Sequence, residues 1–413
     1  MIYIYSPLFS ERLAYVLDFC FKSKGIDYTV VQSTTELKSI KGILINYSNE
    51  LIPNTHSVPN EGLLFDTKID SLSDLSYENN EWSINKIKDT FSVIFYMLSS
   101  FEDYIIKERD EHLRFSAKHS FFKKNGRLHK PNADLLVKQL WDVLDLDYSE
   151  VQSNFSTHIT FDIDNAWAIK NKGFFRSVAS DIKDLLNRKS IKDKFKVRLG
   201  KKQDPFDTYS IIKGVSQGYV VTCFFLLGDW GKFDKNIHWE STNLKQLTLD
   251  LKKSGSIGIH PSYGSYLNET KVKSELKRLN IISNTKSTKS RQHFLKLSVP
   301  HSYQLLNSIG ITDDYSMGFA DAYGFRSGTS FSYPFFDLTT NSITKLMIHP
   351  ITYMDGTLNQ YLGLSTEESI AVIQSLKAEI ESVGGTFCPL WHNETIGEIG
   401  IWKGWRKVFE SNF

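Results

Sequence analysis

The stretch HITFDIDNAW, residues 158–167, decides the fold class of this chain. It holds an apolar run that ends in two carboxylates, Asp162 and Asp164. Residues two apart in a β-strand point to the same side, so both carboxylates are expected to face one space. Two carboxylates this close both stay ionised only when a cation or a proton lies between them. The alternative is a pair that ends a strand in solvent or caps a helix.

Apolar runs of the same kind recur downstream, separated by segments with helical periodicity. Seven are found: HITFDID, YVVTCFFLLGD, SIGIHPS, RQHFLKL, YSMGFAD, TKLMIHPITYMD and GTFCPLWHN. Such alternation predicts a parallel sheet covered by helices. Ligand-type and acid–base residues stand where the runs end: Asp162, Asp164, Asp229, His260, His293, Asp321, Asp355, His392 and Asn393. Unless this is coincidence, it indicates a (β/α) barrel with its site at the carboxyl ends of the strands.

The first part of the chain mixes short strands with helices and shows no such clustering. A helix is predicted to begin after Ser10, and residues 89–108 predict a second one. A polar segment near residues 145–155 is typical of a boundary. We therefore expect an accessory α/β domain over residues 1–145 and the barrel over residues 150–413. The last helix is predicted from a capping box that begins at Ser365.

The composition is that of a globular protein. Of 413 residues, 41% are hydrophobic and 23% are charged, which excludes disorder and coiled coil. Lys plus Arg minus Asp plus Glu is 49 − 47 = +2, so no global charge indicates a nucleic-acid partner.

The cysteines and the N-terminus point to a reducing compartment. Cys20, Cys223 and Cys388 lie far apart, which excludes a disulfide framework and a thiolate zinc site. Charged residues interrupt the first apolar run, so no secretory signal is predicted, and no run is long enough for a transmembrane helix. We expect a cytoplasmic protein.

Three histidines have the chemistry of a site. His260 follows a buried-type run, and a neutral imidazole suits zinc; a packed core histidine is the alternative. Arg291 and His293 open the next run, where a structural Arg–carboxylate pair with a packed histidine is equally compatible. His392 ends the last run and has a side chain suited to a general acid.

The remaining candidates are weaker. Arg326, in a glycine-containing loop after Asp321, is suited to orienting a carboxylate or binding an anion, or to a structural pair. Trp391 is suited to stacking on a sugar face, or to the core. His349 and Asp355 end one run, and the sequence does not rank them above loop residues.

Five motifs stand in the order found in a known family: TFDIDNAW, GIHPSYGS, RQHFLKL, DYSMGFADAYGFRSGT and LWHNE. Through them, residues 155–413 resemble the polysaccharide deacetylases, the NodB-homology group of carbohydrate esterase family 4. Residues 92–131 are similar to the N-terminal domain of a bacterial branch often associated with surface-polysaccharide synthesis. The resemblance implies an α/β fold, a distorted (β/α)7 barrel preceded by a smaller α/β domain.

The resemblance implies roles for several residues. Asp162 matches the general base, Arg291 the arginine that orients it, and His392 the general acid. Asp164 matches the acidic metal ligand, although this chain inserts Ile163 where the family has two adjacent acidic residues.

The implied metal site departs from the family at one position. His260 matches the first metal-binding histidine, but Gly264 stands where a second histidine is usual. We expect His293, where the family commonly has proline, to replace the missing ligand. Substrate contacts are expected from five further residues: Tyr263, Asp321, Arg326, Trp391 and Asn393.

The implied function is a metal-dependent deacetylase that removes an N-acyl group, in most cases N-acetyl, from an amino sugar. The expected cofactor is a divalent metal, with Zn²⁺ preferred. Because no export signal is predicted, we expect the N-acylated amino sugar to be a cytoplasmic precursor, such as a nucleotide- or lipid-linked saccharide. One alternative is a metal-dependent glycosyltransferase that uses the Asp-x-Asp pair. The other is a catalytically degenerate barrel that only binds carbohydrate, which the loss of a ligand at Gly264 keeps open.

Overall fold

A parallel sheet of four strands lies in the first part of the chain. The computed structural model describes residues 1–37, 40–69, 74–172 and 192–413. The sheet has the order β2-β1-β3-β4, and a separate antiparallel hairpin, β5-β6, follows it. The strands are β1 (Ile2–Tyr5), β2 (Tyr28–Val31), β3 (Ile43–Asn46), β4 (His56–Ser57), β5 (Leu75–Glu78) and β6 (Glu81–Ile84).

Seven helices accompany this sheet in the described residues. The predicted helix after Ser10 is confirmed, because the Ser10 side chain accepts the backbone N–H of Leu13 at 3.0 Å. Residues 89–108 form two helices rather than one, because Ser100 adopts a left-handed conformation with φ 53°. The helices are α1 (Glu11–Cys20), α2 (Thr34–Leu37), α3 (Thr90–Leu98), α4 (Phe101–Ile105), α5 (Phe121–Lys124), α6 (Asn132–Val143) and α7 (Ser149–Ser153).

A nine-stranded sheet forms the centre of the rest of the chain. Its order is β12-β13-β11-β10-β9-β8-β7-β14, and β15 also pairs with β7. Every pair is parallel except β12–β13. The strands are β7 (Ser156–Ile163), β8 (Val220–Leu226), β9 (Ser256–His260), β10 (Lys289–Ser290), β11 (Asp313–Asp314), β12 (Tyr333–Asp337), β13 (Ser342–Ile348), β14 (Thr386–Phe387) and β15 (Leu390–His392).

Helices separate the successive strands from β7 to β11 and also separate β13 from β14, as the sequence predicts, whereas β11, β12 and β13 follow one another without an α-helix in the described chain. The capping box at Ser365 is confirmed, with Glu368 as its second member. Among the described residues, no helix is both long and apolar enough to cross a bilayer. The helices are α8 (Lys192–Arg198), α9 (Tyr209–Val215), α10 (Thr242–Lys252), α11 (Glu269–Ser283), α12 (His301–Ser308), α13 (Thr366–Glu381) and α14 (Trp405–Glu410).

The mixed α/β class is confirmed, whereas the closed barrel stays a prediction. Paired strands of the described chain form an open sheet rather than a ring. After β13 the chain runs beside β15 through two backbone hydrogen bonds, Thr352 N to Cys388 O and Leu390 N to Tyr353 O, both 2.9 Å. These bonds place the segment that follows β13 next to β15, which pairs with β7 near the other end of the strand order. The runs RQHFLKL and YSMGFAD are mostly irregular, because β10 and β11 end just before them.

Residues 1–145 pack directly onto the large sheet. Phe95 of α3 lies edge-on to Phe336 of β12, with ring centroids 5.1 Å apart, and one hydrophobic cluster includes both. The Tyr15 hydroxyl donates to the Pro334 carbonyl at 2.9 Å. A division at residues 145–150 stays a prediction, and the N-terminal segment has a fixed place beside the sheet.

Candidate metal centre and its acid–base groups

The carboxyl ends of parallel strands bring the main candidate residues together. Asp162 on β7 is in register with His392 on β15. His260 is the last residue of β9 and is in register with Leu226, the last residue of β8. Asp164 follows β7 by one residue. Because parallel strands end at the same edge of a sheet, these side chains meet there, as the sequence predicts for this edge.

Three of these residues form a cluster that is able to hold a metal ion: Asp164, His260 and His293. Each offers one ligand atom, and the three atoms lie within 4.8 Å of one another. The His260 Nε2 lies 3.2 Å from Asp164 Oδ1, and the His293 Nε2 lies 3.4 Å from Asp164 Oδ2. His293 reaches the cluster from a 3₁₀ turn after β10, in which Phe294 has φ 63°. The turn therefore brings His293 to the cluster although this residue lies beyond the end of β10.

The far nitrogen of each imidazole sets which atom faces the cluster. His260 Nδ1 lies 2.5 Å from the carbonyl oxygen of Arg291, so it must carry the donated proton. His293 Nδ1 donates to Asp234 Oδ1 at 2.9 Å. Both Nε2 atoms are thereby directed toward Asp164. A hydrogen bond from the far nitrogen to a carbonyl or a carboxylate is how metal-binding histidines are oriented.

The cluster fits a divalent cation. Among the described residues, His260 Nε2 and Asp164 Oδ1 are buried and have no hydrogen-bond partner. A nitrogen lone pair and carboxylate oxygens face one another there, which is unfavourable unless a proton or a cation lies between them. Two imidazole nitrogens and a carboxylate oxygen are ligands that zinc accepts.

The charges of the cluster reinforce one another. Burial raises the pKa of the Asp164 carboxyl, but His293 and His260 outweigh burial and hold this pKa well below its ordinary value. Burial lowers the pKa of His293, yet Asp164 and Asp234 raise it overall to about 9. A bound cation would take the place of the proton that this histidine otherwise holds.

A buried arginine holds the Asp162 carboxylate. Arg291 has no exposed surface; its Nη1 donates to Asp162 Oδ1 at 3.0 Å and its Nη2 to Thr160 Oγ1 at 2.7 Å. The guanidinium Nε donates to the Tyr315 carbonyl at 3.0 Å. Asp162 Oδ2 lies 3.4 Å from His260 Nε2. One carboxylate oxygen is thus fixed by arginine, and the other adjoins the metal cluster.

A carboxylate holds His392 in the same way. Asp355 is fully buried; it accepts His392 Nδ1 at 2.8 Å and the His392 backbone N–H at 2.7 Å. The His392 Nε2 lies 3.8 Å from Asp164 Oδ2. Burial lowers the pKa of His392, but Asp355, Asp164 and Asp162 raise it well above its ordinary value. Asp355 thus has a positioning contact that the sequence pattern did not reveal.

These groups open into a cavity of about 300 Å³. Asp162, Asp164, His293 and His392 line it, together with Glu394, whose burial raises its pKa to about 7. Four aromatic side chains form much of the remaining wall: Phe233, Phe294, Tyr361 and Trp402. The cavity therefore combines ionisable groups with flat apolar surfaces, as ligand sites do.

The N-terminal segment also reaches this cavity. Arg114, from the loop between α4 and α5, lines it, as does Lys235 from the loop after β8. Sequence reasoning named neither residue, because nothing in their local sequence distinguishes them from solvent-exposed cations.

Trp391 and Asn393, two of the expected substrate contacts, do not line the described cavity. Trp391 is fully buried, donates to the Tyr353 hydroxyl at 3.0 Å and packs on Phe409. Side chains alternate along β15, so Trp391 points away from the side that carries His392. Asn393 donates to the carbonyls of Asn165 and Phe206, which fixes the adjoining loops. The alternation could have been read from the sequence.

Asp321, Arg326 and Tyr263 also lie outside the described cavity lining. Asp321 accepts the Ser116 hydroxyl at 2.5 Å. Arg326 forms a buried ion pair of 2.7 Å with Asp103. The Tyr263 hydroxyl lies 3.2 Å from the Nδ1 of His112. All three contact residues of the N-terminal segment, namely Ser116, Asp103 and His112.

Gly264, where the resemblance described above leads us to expect a histidine, contributes to this region through its backbone. Its N–H donates to Asp234 Oδ2 at 3.0 Å, and the Tyr263 N–H donates to Asp234 Oδ1 at 2.8 Å. Asp234 in turn accepts from His293. The sequence contained no signal for Asp234, which is 59 residues away from His293 along the chain.

Comparisons with known proteins find limited similarity. Residues 2–149 match the model of a family described as a family of unknown function, DUF7033. The comparison with curated proteins finds no match to this chain.

Solved structures that are similar to part of the chain include the following two. One is a candidate polysaccharide deacetylase from Mycobacterium smegmatis, with TM-score 0.39 and 12% identity over 62% of this chain and 83% of that protein. The other is the Puue allantoinase, with TM-score 0.38 and 8% identity over 63% of this chain and 84% of that protein. At these identities and TM-scores, neither structure assigns a function to this chain.

Proposed function

We propose that this chain is a metal-dependent hydrolase that removes the N-acyl group of an amino sugar. One observation carries the proposal: a cluster fit for a metal, an arginine-held carboxylate and a carboxylate-held histidine all adjoin one cavity. Amide hydrolysis requires an electrophilic centre for the carbonyl oxygen, a base for water and an acid for the leaving amine. The cavity offers a group for each task.

Asp164, His260 and His293 would hold the cation, with Zn²⁺ preferred on ligand chemistry. When bound, such an ion supplies Lewis acidity toward a carbonyl oxygen and lowers the pKa of water. Asp162 is the base. Its Oδ1 is held by Arg291, which keeps the carboxylate oriented while it accepts the proton of the attacking water.

His392 is the acid. Its Nδ1–H bond to Asp355 fixes the ring, so a proton on Nε2 is delivered into the cavity and to the leaving amine. Asp355 also favours the protonated imidazole that this step requires. Asp162 and His392 are therefore a base and an acid whose orientations are set by separate partners.

The amino-sugar substrate is supported by the lining of the cavity and by the sequence motifs. The flat rings of Phe233, Phe294 and Trp402 are suited to contact the apolar face of a sugar ring. A metal-dependent glycosyltransferase would use the two aspartates but leaves the His392–Asp355 pair without a task. A barrel that only binds carbohydrate is distinguished from the hydrolase by whether the protein releases free amine.

The test is release of free amine from N-acetylglucosamine and its oligosaccharides by the zinc-supplemented chain of 413 residues. We expect release by the wild type and its loss in Asp162→Asn, with zinc content unchanged. Asp313→Asn, which alters a carboxylate paired with a histidine outside the described cavity lining, is the matched control and should retain activity. Zinc and sugar binding without amine release would contradict the hydrolase and favour the binding barrel.

A further inference from the structure

Arg114 is built into the wall of the cavity by contacts with three parts of the chain. Its Nε donates to Asp110 Oδ2 at 2.7 Å, within the N-terminal segment. Its Nη1 donates to the Phe294 carbonyl at 2.9 Å and to the Tyr361 hydroxyl at 3.2 Å. Only 7% of the side chain is exposed. The guanidinium is therefore held rigidly beside the residue that follows the candidate ligand His293.

These contacts leave one edge of the Arg114 guanidinium for a ligand. Arginine has five N–H donors, and the bonds to Asp110, Phe294 and Tyr361 use Nε and Nη1. Within the described parts of the chain, no acceptor bonded to Nη2 is found. Nη2 is not one of the buried side-chain nitrogens without a partner in the described residues, so it is accessible to a ligand in the cavity that Arg114 lines.

A second cation adjoins the same cavity. Lys235 lines it, and its Nζ donates to the Gly231 carbonyl at 2.6 Å. Asp162 and Asp164 place negative charge in the cavity, but a divalent cation would offset it. Arginine binds carboxylate and phosphate oxygens in a planar, paired geometry, whereas lysine acts as a point charge.

We propose that Arg114, assisted by Lys235, binds an oxyanion, a phosphate or a carboxylate, carried by the substrate of this cavity. The inference rests on the proposed function for the identity of the substrate as an N-acylated amino sugar. It assigns the N-terminal segment a role in substrate selection, because that segment supplies the arginine. Phosphate is the group that a nucleotide- or lipid-linked sugar would present.

The experiment measures equilibrium dissociation constants on the zinc-supplemented chain of 413 residues carrying Asp162→Asn, so that no ligand is consumed. The probes are N-acetylglucosamine, N-acetylglucosamine 1-phosphate and N-acetylmuramic acid, which are neutral, phosphorylated and carboxylated. We expect Arg114→Gln to weaken the binding of an anionic probe about tenfold or more and to leave the neutral probe unchanged. The probe with the larger change identifies phosphate or carboxylate as the bound group.

Two further variants keep the test decisive. Arg278→Gln removes another arginine, which bonds Asp229 and the Leu227 carbonyl outside the described cavity lining, and should leave all three constants unchanged. If Arg114→Gln fails to fold, Arg114→Lys retains the charge without the fork and should weaken anion binding by a smaller factor. Equal effects on neutral and anionic probes would overturn the proposal.

The failure of this proposal is distinguishable from the failure of the proposed function. If the wild type releases no amine but Arg114→Gln still weakens anion binding selectively, the oxyanion site stands and the hydrolase does not. If amine is released while the anionic probes bind no more tightly than the neutral one, the hydrolase stands and the oxyanion site does not.

Discussion

Two histidine–carboxylate pairs of nearly equal length lie in different surroundings of the large sheet. His293 Nδ1 meets Asp234 at 2.9 Å at the cavity, and His349 Nε2 meets Asp313 at 2.8 Å outside the described cavity lining. The second nitrogen of His293 faces Asp164, whereas that of His349 lies 2.7 Å from the Ser332 hydroxyl. The carboxylate partner therefore does not identify a ligand histidine. What identifies a candidate ligand histidine is a second ring nitrogen that faces a carboxylate, as in His293, and not a hydroxyl group, as in His349.

The largest expected effect comes from removing a candidate ligand at the cavity. His260→Ala should reduce bound metal from about one ion per chain to near zero and abolish amide hydrolysis. The loss of metal affinity should exceed the decrease of about 10–100-fold that is typical when a residue that only orients a ligand is replaced. Elemental analysis of protein purified without added metal or chelator measures it.

His349→Ala is the matched control, because it removes a histidine of the second pair. Its metal content should equal that of the wild type. If His260→Ala and His349→Ala contained equal amounts of metal, the proposed metal site at Asp164, His260 and His293 would be wrong.

The next effect concerns the acid rather than the metal. His392→Gln should lower kcat about 10²–10⁴-fold, because the leaving amine then lacks its proton donor. Metal content should stay unchanged, since the His392 Nε2 is 3.8 Å from Asp164 and outside the three-residue cluster. Steady-state kinetics with metal analysis on one preparation measures both. Loss of metal together with kcat would instead make His392 a ligand.

A smaller effect is expected from the carboxylate that orients His293. Asp234→Asn should weaken metal binding about 10–100-fold, because the amide no longer fixes the imidazole as a carboxylate does. Competition with a chelator of known affinity measures the change. Asp313→Asn, at the second pair, should bind metal like the wild type. If both variants bind metal equally well, Asp234 has no positioning role.

The smallest effect concerns the pair outside the cavity lining and its pH dependence. The hydrogen bond from His349 lowers the pKa of Asp313 to about 2, from an ordinary value of 3.8. A lowered pKa in the folded state means that ionised Asp313 stabilises the fold above about pH 4. This stabilisation is lost as the pH falls from about 4 to about 2.

Asp313→Asn should therefore lower the free energy of unfolding by about 0.5–1.5 kcal/mol at pH 7. The difference from the wild type should shrink at pH 3. Urea unfolding at both pH values measures it, and a difference that grows toward acid pH would contradict the assignment.

The sequence predicted the features that depend on residues close together in the chain, namely strands, helices and helix caps. The alternation of apolar runs with helical segments predicted the parallel strands, and the ends of these runs identified Asp162, His260 and His392. Local capping chemistry predicted the starts of the helices at Ser10 and Ser365, and both are confirmed. These features follow from strand and helix periodicity, which nearby residues set.

The same local patterns also suggested site residues that do not line the described cavity. Asp229, expected at the site, has 82% of its side chain exposed and pairs with Arg278. Trp391 lies in the aromatic core, and Arg326 pairs with Asp103. A polar or aromatic residue after an apolar run is compatible with a site, a core or an interface, and only its packing distinguishes them.

By itself, then, the sequence determined the α/β class, the ends of the strands beside Asp162, His260 and His392, and the chemical types of the residues placed there. The tertiary structure decided how irregular segments meet: it brought Asp234 to His293, Asp355 to His392, and Arg114 of the N-terminal segment to the cavity. The physical reason is that loop conformation and long-range contact depend on packing across the whole chain. Local periodicity sets where a strand ends, but not which distant side chain meets it.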